Sequence, residues 1–112
     1  MIGLIGFMAC DDIIEVVDIS NETVTILAPK DQVVLQASNV TFSWEPVQDA
    51  EMYHVQVATP SFDGASQIVL DTMVTKTNIT KTLEVNDYEW RISAQNSDYA
   101  TVYVTQGFSI TD

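Results

Sequence analysis

Leu83-Glu84-Val85-Asn86-Asp87-Tyr88-Glu89-Trp90-Arg91-Ile92-Ser93-Ala94-Gln95-Asn96 is the stretch on which the fold turns. Tyr88, Trp90, Ile92 and Ala94 share one parity, and Glu89, Arg91, Ser93 and Gln95 share the other. This is the period-2 alternation of a strand with one buried face and one wetted face. The inward set carries the largest apolar side chains, so the stretch predicts a central strand and says little about chemistry.

Outward from it, the rest of the domain breaks into short strands. Residues 23–28 alternate and are β-branched, and Pro29-Lys30-Asp31 breaks them, which predicts a first edge strand with residues 33–35 continuing it past a kink. Val40, Phe42 and Trp44 share a face in a second strand that Pro46 ends, because proline has no amide hydrogen for a ladder. After a turn at residues 48–51, residues 52–58 form a third strand, with Tyr53, Val55 and Val57 inward and His54 and Gln56 outward. Residues 59–65 are the longest expected loop, with Phe62 at its tip. A short fourth strand (68–70), a fifth (79–83), the opening stretch and a last strand (100–110) complete the count. Seven short strands with regularly spaced turn signals and no helical period predict an all-β, immunoglobulin-like sandwich over residues 23–112.

Composition limits what such a domain does. At 112 residues and 46% apolar content the chain has room for one domain and one core. Sixteen acidic against four basic residues, a net charge of -12, repel phosphate backbones and exclude nucleic acid as a partner. Cys10 is the single cysteine and His54 the single histidine, so neither an internal disulfide nor a Cys/His zinc site can be assembled.

The first 22 residues read differently from the rest. Residues 1–9 are apolar and uncharged, too short to span a bilayer, and they lead into Phe7-Met8-Ala9-Cys10. These four residues resemble the lipobox of bacterial lipoproteins, in which the cysteine is lipidated and becomes the first residue of the mature protein. The resemblance implies a signal peptide over 1–9, a lipid on Cys10 that anchors the chain to a membrane, and a location at the outer membrane, on the cell surface or the periplasmic face. It departs from the pattern in Phe7, where an aliphatic residue is usual, and in lacking a basic n-region, which leads us to expect a start truncated relative to the natural one. Asp11, Asp12, Glu15, Asp18 and Glu22 then place five carboxylates in twelve residues, which reads as a solvated tether over 10–22. Acids directly after the lipidated cysteine resemble the surface-export signal of Bacteroidetes-type lipoproteins, whereas an aspartate at that position resembles the inner-membrane retention signal of enterobacterial ones. One alternative is a buried first strand in which Cys10 is a small core hydrophobe; another, from the apolar pairs Ile13-Ile14 and Val16-Val17, is a short strand docking on a partner or on the sheet.

Trp44 with Pro46, Tyr53-x-Val55, and then Leu83, Tyr88, Ala94 and Asn96 resemble the fibronectin type III domain, over roughly residues 28–112. The family implies a spacer or binding module, seldom a catalyst, and no cofactor is expected. It also implies that Leu83 and Tyr88 form a corner in which the phenol bonds backbone upstream. The spacing from Leu83 to Tyr88 is one residue shorter than the usual animal pattern. Trp44, Tyr53, Leu83, Tyr88, Trp90 and Ile92 are the expected structural core.

Candidate sites are few. No serine or cysteine has a histidine placed to act as its base, and paired acids such as Glu89 with a neighbour read as a solvated face, so no catalytic residue is assigned. Asp63 beside Gly64, or Asp11, Asp12 and Glu15, offer oxygen ligands without the spacing of a calcium loop, and no metal ligand is assigned. The binding hypothesis rests on the outer face of the third, sixth and seventh strands, where His54, Gln56, Arg91, Gln95, Tyr99 and Tyr103 gather, with Phe62 on the adjoining loop. Such a face suits a protein partner in the envelope or, as the rival reading, a glycan for an uptake system. The plain alternative is a sheet surface whose cross-strand pairs only stabilise the fold.

Overall fold

The computed structural model describes residues 15–112. The expected signal peptide over residues 1–9, Cys10, Asp11 and Asp12 lie outside the described residues. Within them the chain forms eight strands: β1 (Ile26–Ala28), β2 (Val33–Leu35), β3 (Asn39–Trp44), β4 (Met52–Thr59), β5 (Gln67–Val74), β6 (Asn78–Thr82), β7 (Asn86–Gln95) and β8 (Val104–Ile110). They make two sheets, a three-stranded one in the order β1-β3-β6 and a five-stranded one in the order β2-β8-β7-β4-β5. This is the expected all-β sandwich, with eight strands in place of seven.

The extra strand comes from the kink at Pro29-Lys30-Asp31. Residues 33–35 do not continue β1 in its own sheet; they cross to the other sheet and pair parallel with β8, Val33 with Phe108 and Leu35 with Ile110. Asp31 fixes the crossover, since Gly107 N donates to its Oδ1 at 2.8 Å and Gln32 N donates to the Gly107 carbonyl at 2.6 Å.

Between the sheets lies one core. Trp44, Phe42, Trp90, Val55, Val57 and Ile92 are all within 1% of full burial, and Tyr53, Leu83 and Tyr88 are also buried. Phe42 meets two rings edge on, standing 4.9 Å from Trp90 and 5.8 Å from Phe108, centroid to centroid. Such contacts add to burial itself, which stabilises by roughly 1.5–3 kcal/mol for each large apolar side chain. Trp90 Nε1 donates to the Pro29 carbonyl at 3.3 Å, tying β7 to the crossover.

The corner beside β7 is present. Tyr88 Oη donates to the Glu84 carbonyl four residues upstream at 2.6 Å, and burial of the phenol pushes its pKa up. The shortened spacing from Leu83 thus accommodates the bond.

Four boundaries differ most from expectation, the first being that β1 covers only Ile26–Ala28 of the expected 23–28. Ile19 is 1% exposed and belongs to the core, with Val24, so packed chain begins inside the stretch expected to be a solvated tether. Asn96 holds it there, its Nδ2 donating to the Val17 carbonyl at 2.8 Å. Val16, Val17, Ile19 and Val24 follow no regular period, and that concealed it. The fourth strand runs over eight residues rather than three, because an edge strand is only half buried and its alternation is weak. The last strand starts at Val104, so Tyr103 sits just before it rather than within it.

Candidate functional site on the outer face of the five-stranded sheet

Register places the site. Gln56 of β4 lies opposite Arg91 of β7 on one side and Asp71 of β5 on the other, and His54 lies opposite Ser93 and Met73. Because His54, Gln56, Arg91 and Asp71 all have the outward parity, four polar side chains meet on one face.

They are bonded in sequence. Arg91 Nε donates to Gln56 Oε1 at 2.8 Å, and Gln56 Nε2 donates to Asp71 Oδ2 at 3.0 Å. Asp71 Oδ1 stands 2.6 Å from His54 Nε2, and His54 Nδ1 bonds the Tyr103 hydroxyl. Tyr103 closes the ring, its aromatic face 5.1 Å from the Arg91 guanidinium carbon. Phe62 also lies against the guanidinium, 4.1 Å from ring centre to that carbon. Arg91 is therefore flanked by two aromatic rings from two different loops, an arrangement that favours arginine over lysine because the guanidinium is planar.

Glu89 completes the clasp. Its Oε1 accepts from Phe62 N at 2.9 Å and pins the β4–β5 loop against β7. Bonds from His54 and, next, from Gln56 hold the Asp71 carboxyl below its ordinary 3.8, with smaller help from the charges of His54 and Arg91.

Of the residues expected here, His54, Gln56, Phe62, Arg91 and Tyr103 come together. Gln95 and Tyr99 lie further along the face and take no part in the ring; Tyr99 is 37% exposed, and its amide is bonded to Asn96 Oδ1 at 2.9 Å. Asp71 and Glu89 are the additions. Asp71 escaped the sequence reading because its strand was expected to end at residue 70, and Glu89 because exposed acids are plentiful in a chain of net charge -12. Among the described residues no group of three or more His, Cys, Asp or Glu side chains is arranged to hold a metal ion. No helix among them is long and apolar enough to cross a membrane.

A three-stranded β1-β3-β6 sheet packed on a five-stranded sheet, joined through a tyrosine corner, has clear structural likenesses. The fold is that of a fibronectin type III domain. The chain superposes on the fibronectin(III)-like modules of Clostridium thermocellum CbhA with a TM-score of 0.58 at 12% identity, covering 80% of this chain and 96% of that one. For the fibronectin type III domain of human KIAA0970 the TM-score is 0.62 at 17% identity, covering 98% and 88%. A further Fn3-like protein from Clostridium thermocellum gives 0.52 at 18%, covering 80% and 90%. Identities this low speak for the fold alone. No family model matches the sequence, and no curated protein matches it. Domains of the fibronectin type III fold are generally non-catalytic modules or spacers, so the fold leaves function to the surface.

Proposed function

We propose that the chain is a non-catalytic interaction or accessory module of a cell-envelope lipoprotein, held to the outer membrane through a lipid on Cys10. Its partner-binding surface is the outer face bearing His54, Gln56, Phe62, Arg91, Gln95, Tyr99 and Tyr103. The observation that carries this reading is the Arg91 guanidinium held against the rings of both Phe62 and Tyr103. A face ordered before binding loses little side-chain entropy when a partner docks, and tyrosine and arginine are the residues that most often dominate such contacts.

The test has two arms. Mass spectrometry of the native protein should show Cys10 acylated and N-terminal; an unmodified Cys10 overturns the anchoring. Crosslinking in whole envelopes should capture a partner with the parent chain and lose it with Arg91→Ala and with Tyr103→Ala, both still folded. Capture unchanged by either substitution moves the partner to another surface, and binding of a neutral glycan in calorimetry, lost with the same substitutions, would replace the protein partner with a sugar.

A further inference from the structure

The open side of the sandwich, between β5 and β6, combines three features that the outer face does not explain. β5 is the last strand of its sheet and has only β4 beside it, so its other edge presents backbone N–H and C=O groups. Its regular portion, Leu70 to Val74, pairs residue for residue with Tyr53 to Val57, and it contains neither proline nor a cation to blunt that edge. Beneath the edge runs an apolar seam in which Leu70, Val74 and Ile79 are only partly buried against the core.

Charge distinguishes this seam from the rest of the molecule. The chain has four cations against sixteen acids, yet two of the four line the seam. Lys76 shares a cleft with Val74 and Ile79 at one end, and Lys81 shares a cleft with Gln67, Val69 and one acid, Glu84, at the other. Neither is paired: the one ion pair among the described residues is His54 with Asp71. Asp71 is the single carboxylate on β5, and it is already bonded to His54 and Gln56 on the outer face.

From these features we propose that the β5 edge is a docking site for an extended partner segment with an apolar centre and acidic ends. The segment adds as a further strand alongside β5. Its backbone satisfies the open edge, its apolar side chains cover Leu70, Val74 and Ile79, and its acids reach Lys76 and Lys81. A basic segment would meet both lysines, and a second copy would bring a net charge of -12 against the same charge, a far larger repulsion than a short segment with a few acids meets. This surface is separate from the Arg91 face, so the two readings stand or fall independently.

The test uses the full chain and a synthetic peptide, Asp-Asp-Ile-Ile-Glu-Val-Val-Asp, which copies residues 11–18 and, as a strand, carries the required pattern on the face of Asp12, Ile14, Val16 and Asp18. A control peptide carries lysine in place of each acid. The acidic peptide should slow amide exchange over residues 70–74, and the lysine peptide should bind at least tenfold more weakly. The double variant Lys76→Glu, Lys81→Glu, whose melting temperature should stay near the parent's, should lose at least tenfold in affinity for the acidic peptide. Arg91→Ala should leave that affinity unchanged, which separates this site from the outer face. Absence of protection at residues 70–74, equal binding of the lysine peptide, or full binding by the double variant overturns the proposal. So does self-association of the peptide-free chain that protects the same amides.

Discussion

Asp71 shows how much one side chain on this face depends on its neighbours. Its carboxyl is held below 3.8, first by the bond from His54 and then by that from Gln56. A lowered folded-state pKa means that the native state favours the ionised form. The associated stability is therefore complete above 3.8 and disappears as pH falls through the lower folded value. Asp71 is 53% exposed, so solvent screening keeps the effect to about 0.2–1 kcal/mol. Asp71→Asn should melt slightly below the parent at neutral pH, with the gap closing in acid below 3.8. A gap that persists undiminished in strong acid would mean that the lost interaction is not ionic. The site was legible in the sequence as to its face but not as to its bonding. Alternation placed His54, Gln56 and Arg91 outward, whereas the bond from Gln56 to Asp71 depends on the register of β4 against β5, and no local pattern encodes that.

At the scale of the element, the two tryptophans separate packing from hydrogen bonding. Both are buried to within 1%, but Trp90 Nε1 donates to the Pro29 carbonyl whereas Trp44 Nε1 has no hydrogen-bond partner among the described residues. Trp90→Ala should cost ~3–5 kcal/mol of a total that is typically ~5–15 kcal/mol, leaving little margin for folding. The phenylalanine variants are more informative. Trp44→Phe discards an indole N–H that has no partner, whereas Trp90→Phe breaks the tie between β7 and the crossover, so the first should be milder by about 1 kcal/mol in denaturant titrations. Equal costs would show that cavity volume alone decides. Strands β3, β4 and β7 were legible because each buries one full face. β5 was legible only over residues 68–70, since an edge strand buries too little to enforce alternation, and β2 only as a continuation of β1, since it owes its place to a parallel partner more than seventy residues away.

For the whole molecule, the net charge of -12 is the dominant long-range term. Like charges packed on a small sandwich repel one another, and salt relieves this as the screening length falls from about 30 Å at 0.01 M to about 8 Å at 0.15 M. The melting temperature should therefore rise with added sodium chloride over that range. A fall would show that the His54–Asp71 pair and its neighbours outweigh the repulsion. The crossover at Pro29 has a mechanical consequence as well. Chain enters beside the β3–β4 and β7–β8 loops, where Asn96 holds Val17, while β8 finishes at Ile110, opposite Asn86 at the far end of β7. Traction between those two poles draws β2 and β8, which run parallel, in opposite directions along their common axis. The rungs Val33–Phe108, Val34–Ser109 and Leu35–Ile110 then bear load together in shear rather than opening one at a time.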